Sequence, residues 1–520
     1  MFDILICGAL IVDGSGSEGY IGDVGVEGGK ISAVGRLGGA AAVEVIEAEG
    51  RCLTPGFIDI HRHADAALFR HDWGRAELAQ GLTTIINGNC GLSLAPVCGA
   101  HAVEIQRYLS PIVGELPEGR EFPSMASYLA QAREAAPPVN TFMLAGMGTI
   151  RACAAGFSDL PLTAEQYARV HRLLEESLAG GAIGVSLGLG YAPECFYDTE
   201  GLIRALEPLR GSSTVVTVHM RQEGDGVVDA LREMLAVARE LRMPLEISHL
   251  KAIGRRNWRK SVPEMLRLIG EARQDGLDIM CDVYPYPAGS TQLIHVLPPE
   301  YQAGGTEALT AALLDPLTRE RMRERMETGS DFENISLLVG FENIRATSLH
   351  RPENLEFEGR SIAEIAASKG SSDFDALFDL LASEHCAVSM IDFIADEEDI
   401  CDILRAPFSG VISDATYPAS GLLHPRVYGT YPRLFERYVL GKGVLSLPEA
   451  VRKVTRQPAD RFGLRTKGRI EPGADADLCL FDPSALRERD SYEHPETLAT
   501  GMDYVLVGGR PAIAEARFTF

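Results

Sequence analysis

The sequence predicts an α/β protein: a (β/α)8 TIM-like barrel, a small β-sandwich built from both termini, and a long insertion between barrel strands 7 and 8. Three observations carry that expectation. The middle of the chain alternates strand-like and helix-like runs. Both ends are rich in short β-like runs broken by glycine turns. One strand-to-strand interval is more than twice as long as a βα unit requires.

The strand-like runs of the middle fall at 56–63, 83–89, 141–146, 183–188, 215–219, 245–249, 278–283 and 410–414. Between them, 166–178, 227–241 and 262–273 place apolar residues three to four apart, the spacing of a helix with one buried face. The long interval lies within 288–408 and has the character of a lid; 373–385 reads as a helix and 335–339 as an extra strand. At the N-terminus, FDILICGALIV and DVGVEGGKISAVG read as strands. At the C-terminus, the runs around Leu478 and Val505 do the same. The expected division is therefore 1–55 plus 470–520 for the sandwich and 56–469 for the barrel.

Bulk properties narrow the function. A chain of 520 residues with 46% hydrophobic and 23% charged residues can bury a large core without staples. Its net charge of -24 repels phosphate backbones, which argues against a nucleic-acid partner. The 10 cysteines are scattered, as expected of free thiols in a reducing compartment. No basic leader opens the chain and no run is long and apolar enough for a bilayer, so the expected location is the cytoplasm, with no membrane partner.

The strongest chemical signal is His61-Arg62-His63, in GFIDIHRHAD. Residues two apart on a strand share a face, so the two imidazoles point together where a barrel strand ends. Arg62 then points away. Taken alone, the pair could equally be two solvent-facing histidines near a turn. Four more donors end other predicted strands: Cys90, His219, His249 and Asp414. Any one of them could be a core or capping residue. Imidazole, thiolate and carboxylate together are the donors zinc prefers. His71, His101, His295, His350 and His385 lack such contexts and read as structural or exposed, and Cys281 reads as core.

PGFID with its H-x-H, the ADLCLFDP strand and the barrel pattern resemble the amidohydrolase superfamily. GNCGLSLAP, SHLKAIGRRNW, DVYPYPAGST and HPRVYGTYPRLF resemble motifs of its N-acyl-D-amino acid deacylases, and the resemblance spans nearly the whole chain. It implies that Cys90, His219 and His249 hold one tight zinc ion. His61 and His63 would form a second, weaker position, with Cys90 able to bridge the two. It implies Asp414 as general acid/base, and Lys251, Arg426, Tyr191 and Ser290 around the free carboxylate of a small N-acyl amino acid. The carboxylated lysine of many superfamily members is not needed where Cys90 fills its place. Oligomeric state is not legible. Three other functions fit less well: hydrolysis of a cyclic amide, deamination, and non-catalytic binding on the same fold. The long matched motifs and the complete donor set argue against them.

Overall fold

The structure is a computed structural model that describes residues 1–116 and 118–520. Its middle contains eight parallel strands, labelled here β1 (Phe57–Asp59), β2 (Leu82–Asn87), β3 (Asn140–Met143), β4 (Gly184–Gly188), β5 (Val215–His219), β6 (Leu245–Ile247), β7 (Ile279–Val283) and β8 (Ser409–Val411). Each predicted strand is present, and most are shorter at the C-terminal end than their apolar runs. The polar residues closing those runs leave the ladder and turn into loops.

Strand β1 pairs with β2, and β2 with β3. After Leu144 the β3 segment continues as Ala145–Gly146, which pairs with β4. From β4 each strand pairs in parallel with the next, through to β7 with β8. An isolated parallel bridge joins Arg62 to Ala415, just beyond β1 and β8. There the Asp414 amide donates to the His61 carbonyl and the His63 amide to the Ala415 carbonyl, both at 2.9 Å.

The connecting helices follow their sequence signals. Ala164–Ala179 starts at a capping box made by Thr163 and Gln166. Val227–Leu241 buries Val227, Leu231, Met234, Ala238 and Leu241, one apolar stripe at helical spacing. Ser261–Gln274 contains the third predicted helix.

The long interval folds into a unit of its own. Its strands Ala288–Gln292, Ser389–Phe393 and Ile344–Thr347 form an antiparallel sheet in that spatial order. Helices including Asp373–Ser383 pack beside it. The extra strand expected at 335–339 is a correction: Ile335–Val339 is a short helix. The Asn334 side chain accepts from the Leu337 amide and caps its start, and Gly340, at φ 83°, ends it. A five-residue apolar run carries no periodicity that could separate the two.

Strands from both termini share one nine-stranded sheet. Cys52–Pro55 lies beside Leu478–Phe481, the seam between the two ends of the chain. Ile4, Ile6, Val24, Val26, Leu478 and Leu506 belong to one buried cluster of that sheet. Among the described residues no helix is long and apolar enough to cross a membrane.

Candidate metal centre and active site

The predicted donors converge. His61, His63, Cys90 and Asp414 each offer a ligand atom within 4.8 Å of the others, and Cys90, His219 and His249 do the same. All are buried. His219 is the last residue of β5, whereas the others lie two to four residues past their strands. Cys90, His249 and Asp414 sit at positive φ, 54°, 38° and 53°. Non-glycine residues rarely occupy that region, and such strain persists only where surrounding contacts impose it.

Those contacts are identifiable, and buried carboxylates supply most of them. Asp59 Oδ1 accepts from the amides of His61 and Ser413, each at 3.2 Å, tying the segment after β1 to that after β8. Asp282 accepts from the His249 amide at 2.5 Å. The Asn89 side chain donates to the Ile60 and Ile86 carbonyls at 3.1 Å, fixing the turn that presents Cys90. A Cβ at Gly188 would stand 2.0 Å from the Cys90 carbonyl oxygen, so only glycine lets that loop lie against β4.

The donor spacing suits zinc. His219 Nδ1 lies 3.2 Å from His249 Nε2, and Cys90 Sγ lies 3.5 Å from His249 Nε2. His61 Nε2 lies 3.2 Å from Cys90 Sγ and 3.3 Å from Asp414 Oδ1; His63 Nε2 is also 3.3 Å from Asp414 Oδ1. Ligands at zinc's bond lengths of about 2.0–2.3 Å stand roughly 3.3–3.8 Å apart around a tetrahedron. Burial pushes the Cys90 thiol well up, with Asp414 and Glu223 adding to it. Burial likewise holds His61 and His219 well below the ordinary imidazole range, leaving neutral nitrogens as electron-pair donors. Soft and borderline donors facing one another across a few ångströms, with thiolate formation left to a cation, fit a metal.

Asp414 lies between this cluster and Arg426. Burial opposes its ionisation, but Arg426 Nη1 at 3.0 Å, followed by His61 and His63, holds its carboxyl well below the usual range. Arg426 is fully buried behind it and also donates to the Ser290 carbonyl at 2.9 Å; its Nε has no partner in the protein. Lys251 donates to Glu223 at 2.7 Å and stands 2.8 Å from His249 Nδ1. Tyr191 packs on His219 and bonds Thr291 at 2.8 Å. Tyr191, Ser290, Lys251 and Asp414 all line one cavity, together with His63, Cys90, His219 and His249.

Arg62 points away from the cluster, as expected, toward Asp59, Glu77 and Tyr417. His71, His101, His350 and His385 are exposed, and Cys281 is buried in β7. His295 is a correction: it is buried, lines the cavity and packs on Tyr191 and His219. It sits in a short 3-10 turn of the insertion, so no strand-end context marks it. Sequence reasoning also missed Glu223, 3.0 Å from His249 Nδ1, and the cavity-lining Asp392. Glu223 follows His219 by four residues, a spacing that could have drawn notice; Asp392 has no comparable signal.

Comparison with known proteins agrees with this geometry. The amidohydrolase family profile matches residues 412–513. The chain is 34% identical over 520 residues to D-aminoacylase of Alcaligenes xylosoxydans xylosoxydans, covering 100% of this chain and 96% of that protein. It is 31% identical to N-acyl-D-glutamate deacylase of the same organism, covering 99% and 94%. The crystal structure of N-acyl-D-glutamate deacylase from Bordetella bronchiseptica was solved with zinc and a phosphonate inhibitor that mimics the tetrahedral intermediate. It superposes with a TM-score of 0.84 at 30% identity, covering 99% of this chain and 98% of that one. A likeness of this depth along the whole length places the chain in the amidohydrolase family, among its D-aminoacylases and N-acyl-D-amino acid deacylases.

Proposed function

We propose that this protein is a zinc-dependent hydrolase of the amide bond of N-acyl-D-amino acids, releasing a carboxylate and a free D-amino acid. The observation that carries this reading is the meeting of Cys90, His61, His63, His219 and His249 with an ionised Asp414 at the end of one cavity. The relatives' names supply the substrate class and the D configuration.

Cys90, His219 and His249 would hold the tight zinc ion; His61 and His63 would complete a weaker position that shares the Cys90 sulfur. Zinc held there supplies Lewis acidity, which polarises an amide carbonyl and makes water a better acid at neutral pH. Asp414 is the general base: its carboxylate is ionised, buried and within reach of the donor cluster. It takes a proton from the attacking water at a carboxylate oxygen and returns it to the departing nitrogen. Lys251, Arg426, Tyr191 and Ser290 would grip and orient the free α-carboxylate. The unpartnered Nε of Arg426 and the cavity-facing Ser290 and Tyr191 support that assignment. Glu223 holds His249 Nδ1 and the Lys251 ammonium in place.

The fold reading goes with it. The bridge between Arg62 and Ala415 supports closure of the eight parallel strands into a (β/α)8 barrel over 56–469. The shared buried cluster supports a two-layered sandwich from 1–55 and 470–520. The segment 288–408, which brings Ser290, His295 and Asp392 to the cavity, acts as its lid. Ten unpaired cysteines support a reducing, cytoplasmic setting.

The test is a liberated-amine assay of zinc-loaded protein against paired N-acetyl D- and L-amino acids. Turnover confined to D substrates is expected. Turnover of L substrates alone, or of none, would overturn the reading.

A further inference from the structure

Besides the donors, the lining of the cavity bears on which side chain a substrate can carry. Five of the lining residues are aliphatic: Leu92, Ile112, Ile253, Ile335 and Ile394. Among the described residues that line the cavity there is no arginine, and the single lysine is Lys251. Its ammonium is already bonded to Glu223 at 2.7 Å and to the His249 carbonyl at 3.1 Å. The buried guanidinium of Arg426 is paired with Asp414.

Negative groups are present in their place. Glu223, Asp414 and Asp392 all line the cavity. Asp392 is 2% exposed, stands on the insertion strand Ser389–Phe393, and its Oδ1 has no hydrogen-bond partner. Burial raises its pKa to about 6, while the charges of Lys251 and Arg426 pull the other way.

A substrate α-carboxylate would take up the attraction that Lys251 and Arg426 have to offer. A second carboxylate on the side chain would lose its water without gaining a free cation, in a cavity that Asp392 also lines. A buried ion without a partner is among the costliest arrangements in a protein, whereas an alkyl side chain gains from leaving water.

We infer that this cavity selects N-acyl-D-amino acids with an uncharged, apolar side chain over those with an acidic one, and that Asp392 together with the aliphatic lining residues makes the selection. The inference rests on the deacylase reading above and narrows it to one substrate class.

The experiment compares kcat/KM of the zinc-loaded enzyme for N-acetyl-D-leucine and N-acetyl-D-methionine with that for N-acetyl-D-glutamate and N-acetyl-D-aspartate. The apolar pair is expected to lead by on the order of 100-fold. Equal or reversed values overturn the inference. In Asp392→Asn the leucine-to-glutamate ratio is expected to shrink about tenfold, through a lower KM for glutamate. An unchanged ratio, with normal zinc content and circular dichroism, removes Asp392 from its role. Calorimetric Kd values on Asp414→Asn separate this inference from the deacylase reading. Absence of turnover by the wild-type protein strikes the deacylase reading alone, while tighter binding of N-acetyl-D-leucine upholds the selection. Equal or tighter binding of N-acetyl-D-glutamate, or binding of neither, overturns it.

Discussion

The two walls of the cavity are built on different principles. The donor wall comes from parallel-strand ends, and buried carboxylates hold its backbone: Asp59 binds the amides of His61 and Ser413, and Asp282 that of His249. Other lining residues come from an antiparallel insertion, among them the aliphatic Ile335 and Ile394 and the buried carboxylate of Asp392. Backbone hydrogen bonds fix His61, His249 and Asp414, as chemistry requiring fixed geometry demands. The insertion wall is shaped mainly by size and charge, which can change without disturbing the donors. Reaction type and substrate choice are therefore carried by separable parts of the molecule.

The sharpest way to break this division is Asp414→Asn. The substitution keeps size and removes the base, so turnover should fall roughly 10²–10⁴-fold while zinc content by elemental analysis stays at the wild-type level. Near-normal turnover would remove Asp414 from the donor wall's chemistry. Arg426→Ala comes next, because it belongs to both functions. KM for acyl amino acids should rise roughly 10–100-fold. The acid limb of kcat should also move to higher pH, since the guanidinium favours the charged form of Asp414 and its loss lets that carboxyl protonate more readily. An unchanged KM would argue against the carboxylate-gripping role.

Glu223→Gln tests the outer contacts of the donors. Losing the charge beside His249 and Lys251 should weaken zinc binding about 10–100-fold, read as the chelator concentration that strips the metal. Retention equal to wild type would make Glu223 a bystander. The smallest effect is expected for His63→Asn. It should lower the second metal equivalent in a zinc titration and leave the first bound; loss of both would contradict the two-position reading.

Legibility in the sequence follows the same division. His61, His63, Cys90, His219, His249 and Asp414 could be found because each closes a recognisable apolar run, and the strand period of two sets which side chains share a face. Glu223 and His295 lie in loops where no period applies. Ile335–Val339 was misread because an apolar run of five fits a strand as well as a helix, and the caps at Asn334 and Gly340 decide between them.

What the amino-acid order determined by itself is the set of reactive groups and the elements that carry them, because local periodicity and donor chemistry are properties of short segments. What only the tertiary structure decided is the charge balance of the cavity: that Lys251 is taken by Glu223, that Arg426 is taken by Asp414, and that Asp392 Oδ1 is left without a hydrogen-bond partner. Coulombic pairing and desolvation depend on distances of a few ångströms between residues far apart in the chain, and no local pattern records those distances.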